Sequence, residues 1–338
     1  MTSDRSTSPG TARLLADIGG TNARFAWQAG TGEPIEDLLA LPTAEHATPA
    51  DAIRHYLKVL GRGVPGQCAI AIANPVLGDQ VQMTNHPWSF SIEALKQEFG
   101  FVRLCVLNDF TALALALPTL SASELRQVGG GAARPASAIG LIGPGTGLGV
   151  SGLLPRVRKG LPTAWVPLRG EGGHVTLAAV NAREQAVLAE LGRHLGHVSA
   201  ERAVSGPGLA QLHRALVCID APGAPEPQLQ PAEITERALR GEAPCAEALE
   251  LFCTFLGSVA GNLALTLGAQ GGVYVGGGIV PQLGEWFVRS PFRRSFEAKG
   301  RFSGYLASIP VFVIQARGSP AMRGAAAALD ARPEDGTD

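Results

Sequence analysis

The chain has 338 residues, 46% hydrophobic and 17% charged, with 28 basic against 29 acidic side chains and a formal net charge of −1. That length suits two domains, because a single core stops growing at about 250–300 residues, and the composition is that of a soluble globular protein rather than a disordered or fibrous one. No basic block is present, which excludes nucleic acid as the main partner, since counterion release needs clustered Lys and Arg.

Residues 1–13 are rich in Ser, Thr, Pro and Gly and lack an apolar run, which predicts a short flexible tail with no signal peptide. Residues 13–27 (RLLADIGGTNARFAW) read as strand, tight glycine turn and strand. A short apolar strand at 68–73 ends at Asn74-Pro75, and a helix at 91–99 is opened by Ser91. The apolar run 102–107 is closed by Asn108-Asp109 and leads into a helical stretch at 112–117. Residues 137–154 again read strand, glycine turn, strand. Helical composition returns at 181–195 and 246–267, the Pro-rich stretch 222–231 predicts an exposed loop, and 273–275 is a core strand. Elements mixed in this order make an α/β protein.

Residues 251–284 carry no charge, but Asn262, Gln270 and Gly276-Gly277-Gly278 interrupt them. A buried helix followed by a buried strand is expected there, not a membrane span. Cys68, Cys105, Cys218, Cys245 and Cys253 form no C-x-x-C pair, which argues against a zinc knuckle or a disulfide framework and for a reducing, cytoplasmic setting. There is also a faint internal repeat: an apolar strand, Gly20-Thr21-Asn22 and a strand recur as an apolar strand, Gly145-Thr146-Gly147 and a strand.

The chemistry-bearing residues lie at turns. Around Asp17, Gly19, Gly20, Thr21 and Asn22, glycines permit positive φ and close backbone approach, so amide N–H groups can face an anion, while Asp17 can order the hydration shell of Mg²⁺. The same residues also suit a plain hairpin. Gly143 to Gly149 form a second such turn. A strand follows it where a dinucleotide fingerprint must open a helix, so the Rossmann reading fails, and no P-loop sequence exists. Gly276-Gly277-Gly278 is a third turn, suited to a nucleotide or to a tight buried loop. Asp109, at a strand end beside Asn108, reads either as a base for a hydroxyl proton or as a helix N-cap. Glu171-Gly172-Gly173-His174 places a carboxylate and an imidazole around a flexible two-glycine bend, able to converge on a polyhydroxylated ligand or to form an exposed turn. Glu201, before Ser205-Gly206-Pro207-Gly208, adds a carboxylate or a helix-terminus charge.

In this order, Asp17-Ile18-Gly19-Gly20-Thr21-Asn22, Asn74-Pro75, Met83-Thr84-Asn85-His86-Pro87-Trp88, Leu107-Asn108-Asp109-Phe110-Thr111-Ala112, Gly143 to Gly149, Glu171-Gly172-Gly173-His174, Ser199 to Gly208 and Gly276-Gly277-Gly278 resemble the bacterial glucokinases, over about residues 14–323. The resemblance implies two ribonuclease-H-like (actin-like ATPase) α/β domains flanking a cleft. Residues 14–119 with 316–338 would form the small domain and 120–315 the large one, a terminal helix near 322–329 returning to the first. It implies ATP-dependent phosphorylation of glucose at the 6-hydroxyl, with Asp109 as general base and Asn85, Asn108, Asp109, Glu171, His174 and Glu201 on the sugar. Gly19, Gly20, Thr21, Asn22, Gly145, Thr146 and Gly147 would hold phosphates, with Gly276, Gly277 and Gly278 near adenosine. Mg²⁺ would be carried by ATP phosphates and water, with Asp17 as its candidate protein contact. A homodimer, with no nucleic acid or membrane partner, is expected.

Two departures stand out: the cysteine-rich zinc motif of the repressor/open-reading-frame/kinase group is absent, and residues 315–323 match loosely. The alternatives are a kinase of another hexose or an amino sugar, a catalytically silent sugar sensor of the same fold, and a fold-mate ATPase with a protein ligand.

Overall fold

The computed structural model describes residues 11–331 apart from 85, 161, 162, 224, 226 and 317. The chain divides into two compact units, one of Met1–Ser121, Arg156–Arg169 and Ala316–Asp338, the other of Ala122–Pro155 and Gly170–Gln315. Residues 156–169, expected in the large domain, group with the first unit. Arg13, expected in the tail, opens the first strand and is buried. Its guanidinium explains why: it donates to Gln67 Oε1 (3.2 Å), Gln28 Oε1 (3.3 Å), Thr31 Oγ1 (2.6 Å) and Asp330 Oδ1 (2.6 Å).

The sheet of the first unit runs Ile35–Pro42, Asn22–Gln28, Arg13–Ile18, Gln67–Ile72, Arg103–Asn108. Strand Arg13–Ile18 is apolar at Leu14, Leu15, Ala16 and Ile18 because both faces are covered, and carries charge at Arg13 and Asp17. Leu14, Ala16 and Ile18 point into a core with Phe25, Ile53, Tyr56 and Trp88. Leu15 points the other way, onto Ala69, Cys105 and the helix residues Ala325, Ala326 and Leu329. That helix, Pro320–Asp330, also lies against helix Asp109–Ala116, where a Cβ on Gly324 would stand 1.6 Å from the Ala112 carbonyl oxygen. Arg103 closes its C-terminal end by donating to the carbonyls of Ala328 (3.3 Å), Leu329 (2.9 Å) and Ala331 (2.9 Å).

In the second unit the strand order includes Leu148–Arg156, Ile139–Pro144, Val273–Val275, Val311–Ile314 and Leu125–Val128. The pairing repeats that of the first unit. Arg13–Ile18 is antiparallel to its hairpin partner and parallel to Gln67–Ile72, itself parallel to Arg103–Asn108. Ile139–Pro144 likewise pairs antiparallel within its hairpin and parallel to Val273–Val275, which is parallel to Val311–Ile314.

The core of the second unit is organised by helix Ala243–Leu267. This helix is long and apolar enough to cross a membrane by length and composition, yet 67% of its apolar window is buried within the fold. Gly257 and Gly261 let it approach helix Phe292–Glu297, since a Cβ on either would come within 2.2 and 2.5 Å of the Phe292 and Phe296 carbonyl oxygens. An uncharged run is therefore a helix packed on several sides. Burial pushes the Cys253 thiol up to about 12. Burial, and then the charge of Arg237, holds the imidazole of His213 below its ordinary value.

Two expectations need correction. Only part of the Pro-rich stretch 222–231 is loop, because Pro231 opens helix Pro231–Leu239 behind a capping box of Gln230 and Glu233. The helix expected at 112–117 begins earlier, at Asp109, because Asn108 caps it.

Candidate active site

In the first unit the turn between Ile18 and Asn22 is closed by the Gly19 N–H donating to the Asn22 carbonyl at 3.0 Å. Its other side is braced by Thr43, whose N–H donates to the Thr21 carbonyl (3.0 Å) and whose hydroxyl donates to the Gly20 carbonyl (2.9 Å). The expectation that Gly19 turns its N–H toward an anion and needs positive φ does not hold. Its N–H is used inside the turn, its φ is not left-handed, and a Cβ there would meet only the Asn22 oxygen at 3.6 Å. Asp17 Oδ2 accepts from Ser319 Oγ (2.6 Å) and pairs with Arg24 (3.4 Å). One carboxylate beside a guanidinium is no complete Mg²⁺ cage, but it suits an ion that keeps its water and rides on phosphate oxygens.

Asn108 and Asp109 share the start of helix Asp109–Ala116 and the Phe110 N–H, but only Asn108 also takes the Thr111 N–H. Asn108 Oδ1 accepts from the N–H groups of Phe110 (2.9 Å) and Thr111 (3.2 Å), so the cap is Asn108 and Asp109 is the first helical residue. Asp109 Oδ1 accepts from the Phe110 N–H at 2.8 Å, which fixes the plane of its carboxylate. Asn85 lies outside the described residues.

In the second unit three sequence-separated motifs meet at one strand end. The Gly145 N–H donates to the Gly147 carbonyl and the Gly206 N–H to the Gly145 carbonyl, both at 2.8 Å. Glu201 Oε2 accepts from the Leu148 N–H at 2.8 Å, and a Cβ on Gly147 would stand 2.4 Å from that oxygen. On the same residue, a Cβ at Gly173 would lie 2.0 Å from the Leu148 carbonyl oxygen, and one at Gly172 would lie 2.7 Å from Val150. The glycines of the Glu171–His174 segment are there for contact, not for flexibility. Glu171 and His174 are exposed on either side of that contact, linked by the His174 N–H donating to the Glu171 carbonyl at 3.0 Å. The Gly276–Gly278 turn joins them: Gly276 donates to the Ile142 carbonyl (2.8 Å), and Gly277, at φ 78°, lies so close to Pro144 that its Cβ would be 2.3 Å from the carbonyl oxygen. Gly145 and Gly276, like Gly19, use their own N–H groups in the fold, while Thr21 and Thr146 are exposed at the tips.

The family model described as Glucokinase matches residues 14–332. The chain belongs to the glucokinase family. It is 57% identical over 321 residues to a glucokinase of Aromatoleum aromaticum, covering 94% of both chains. It is 55% identical over 318 residues to a glucokinase of Chromobacterium violaceum, covering 94% of this chain and 89% of the other. The crystal structure of a glucokinase from an Antarctic psychrotroph superposes with a TM-score of 0.83 at 38% identity, covering 94% of this chain and 98% of that one. The fold is therefore the actin-like ATPase fold of sugar kinases, and the activity is transfer of phosphate from ATP to glucose. This sets aside the silent sensor and the ATPase with a protein ligand.

Several residues that brace these turns were not found from the sequence. Thr43 and Ser319 carry no local signal, because their partners lie 22 and 302 residues away. Asn74 stood in view beside Pro75 without an assigned task. A cavity of about 350 Å³, lined by Pro207, Gln211, Arg214, Gln228, Gln230 and Pro231, opens where helix Gly206–Asp220 begins against Gly145. Glycine and proline at 206–208 and the Pro-rich stretch 222–231 were its traces in the sequence.

Proposed function

We propose that the chain moves the γ-phosphate of ATP onto the 6-hydroxyl of glucose with Asp109 as general base. The observation that carries this is the division at the helix start. Asn108 satisfies the helix N–H groups, so the carboxylate of Asp109 is not needed as a cap, and the Phe110 N–H orients it. A base positioned in this way contributes about 10²–10⁴-fold to such a transfer.

Asn85, Asn108, Glu171, His174 and Glu201 are proposed to hold the sugar hydroxyls. A sugar with a misplaced hydroxyl leaves one of these groups unpaired, costing about 1–3 kcal/mol. The turn residues Gly20, Thr21 and Asn22, with Thr146 and Gly147, are proposed to face the phosphates, since Gly19 and Gly145 use their N–H groups internally. Gly277, Gly278 and the cavity beside Gly206 are proposed for adenosine. Mg²⁺ fits as an ion carried by ATP, with Asp17 ordering its water, and it would neutralise charge on the transferring phosphate. We place the enzyme in the reducing cytoplasm, in keeping with its five free thiols, and as a homodimer, which light scattering would check.

The test is ATP consumption by the purified chain with Mg²⁺ against glucose, mannose, fructose, galactose, N-acetylglucosamine and no sugar. Turnover stimulated most by glucose and yielding glucose 6-phosphate supports the reading. Greater stimulation by another sugar reassigns the hydroxyl ligands, and 6-phosphorylation undiminished in Asp109→Asn removes the base.

A further inference from the structure

We infer that Asn74 is a positioning residue that sets glucose affinity by tying the loop after it to Asn108; the inference rests on Asn108 being a sugar ligand. Asn74 follows strand Gln67–Ile72, whose last residue, Ile72, is in register with Asn108. It is only 9% exposed, and each of its polar groups is engaged. Its Oδ1 accepts twice from one residue, from the Thr84 N–H at 3.0 Å and the Thr84 hydroxyl at 2.7 Å. Its Nδ2 donates to the Pro75 carbonyl at 3.2 Å, its N–H donates to the Ile72 carbonyl at 2.7 Å, and its own carbonyl accepts from Asn108 Nδ2 at 3.4 Å.

Few side chains can do this. The position needs an acceptor with two lone pairs and a donor on the same short planar group, a set that only a carboxamide offers. The segment after Asn74 is thereby held at one end by Thr84. At its other end the Met83 N–H donates to the Trp88 carbonyl (3.0 Å), and the Trp88 indole N–H donates to the His46 carbonyl (2.9 Å). Thr84 and Trp88 are each held in place, and the residue after Thr84 is the proposed sugar ligand Asn85.

The second consequence falls on Asn108. Its Oδ1 is taken by the helix N–H groups and one Nδ2 hydrogen by Asn74, so the amide can sit only one way round. The remaining Nδ2 hydrogen is then directed, not left to rotate. Asp109 shares the Phe110 N–H with Asn108 Oδ1 but has no bond to Asn74, so disturbing Asn74 should affect sugar binding more than the chemical step.

The experiment is steady-state kinetics on full-length Asn74→Ala, Thr84→Val, Thr84→Ser and Asn108→Ala, with thermal midpoints measured in parallel. Asn74→Ala is expected to raise KM for glucose about tenfold while kcat and KM for ATP stay within about threefold. Thr84→Val, which keeps the N–H and loses the hydroxyl, should move KM the same way by less, and Thr84→Ser should restore it. The double variant Asn74→Ala/Thr84→Val should be no worse than Asn74→Ala, because both remove the same bond. Unchanged glucose KM in Asn74→Ala, or equal losses in both KM values and kcat, overturns the inference. Should Asn74→Ala fail to fold, the Val/Ser pair at the exposed Thr84 decides alone, and equal KM values for the two overturn it. If Asn108→Ala leaves glucose KM unchanged, the reading of Asn108 fails. If that variant raises KM while those at Asn74 and Thr84 do not, only the positioning role fails.

Discussion

In the first unit the turn at Gly19–Asn22 is closed by backbone and braced from outside by Thr43, and a Cβ on Gly19 would make only an ordinary contact at 3.6 Å. In the second unit the turn at Gly145–Gly147 is closed by backbone and then gripped by the Glu201 carboxylate, which a Cβ on Gly147 would have to displace. Two nearly identical glycine-threonine sequences thus have different reasons for their glycine. The fold leaves room for a Cβ at Gly19, whereas at Gly147 a neighbour is already present. The proposed chemistry divides less evenly: the base, Asp109, is on the first unit, while the proposed sugar ligands are Asn85 and Asn108 on the first and Glu171, His174 and Glu201 on the second.

The largest test of that division is Asp109→Asn against His174→Ala. The first should lower kcat by about 10²–10⁴-fold with glucose affinity nearly kept, and the second should mainly raise KM for glucose. If each variant lowers kcat alike, the division is wrong. Next in size is one substitution made in both turns. Gly147→Ala should cost about 1–3 kcal/mol of folding stability, because the new methyl meets the Glu201 carboxylate. Gly19→Ala should leave the thermal midpoint nearly unchanged, because the added methyl meets only the Asn22 carbonyl oxygen at 3.6 Å. Equal thermal shifts would erase the contrast between the turns.

The smallest effect expected concerns pH and the second unit alone. Burial holds the His213 imidazole below its ordinary value, so the folded chain binds that proton less readily than the unfolded chain. The associated stability is complete above the unfolded value of about 6.5 and declines as pH falls below it, toward the lowered folded value. Urea midpoints should therefore drop between about pH 7.5 and 5.5, and His213→Gln should flatten that slope. Asp79 and Asp220, both held below the ordinary carboxylate range by hydrogen bonds, act at lower pH and leave this window clear.

Much of the fold was legible because its strands are short apolar runs ending at glycine, Asn-Pro or Asn-Asp, and because Ser91 and Asn181 each cap a helix just where the sequence changes character. The helix Pro49–Leu60 went unread although Thr48, Pro49 and Gly61 mark both its ends. The strand Ile35–Pro42 is harder. It is an exposed edge with Asp37 at φ 54° and a register shift opposite, so it shows no clean alternation. At the candidate site, the residue types were readable from local sequence, but their supports were not. Thr43, Ser319 and the grip of Glu201 on Leu148 are contacts between distant parts of the chain, and no local pattern announces them.

The C-terminal helix imposes an order on biosynthesis. The first strand emerges early, yet Leu15, Ala69 and Cys105 wait for Ala325, Ala326 and Leu329 to cover them, and Arg13 waits for Asp330. The second unit, made largely of the uninterrupted residues 170–315, is translated in between. At ribosomal speeds of about 5–20 residues per second, that leaves an apolar sheet face bare for tens of seconds. The nascent first unit is thus the stretch on which a chaperone that reads exposed aliphatic surface would act.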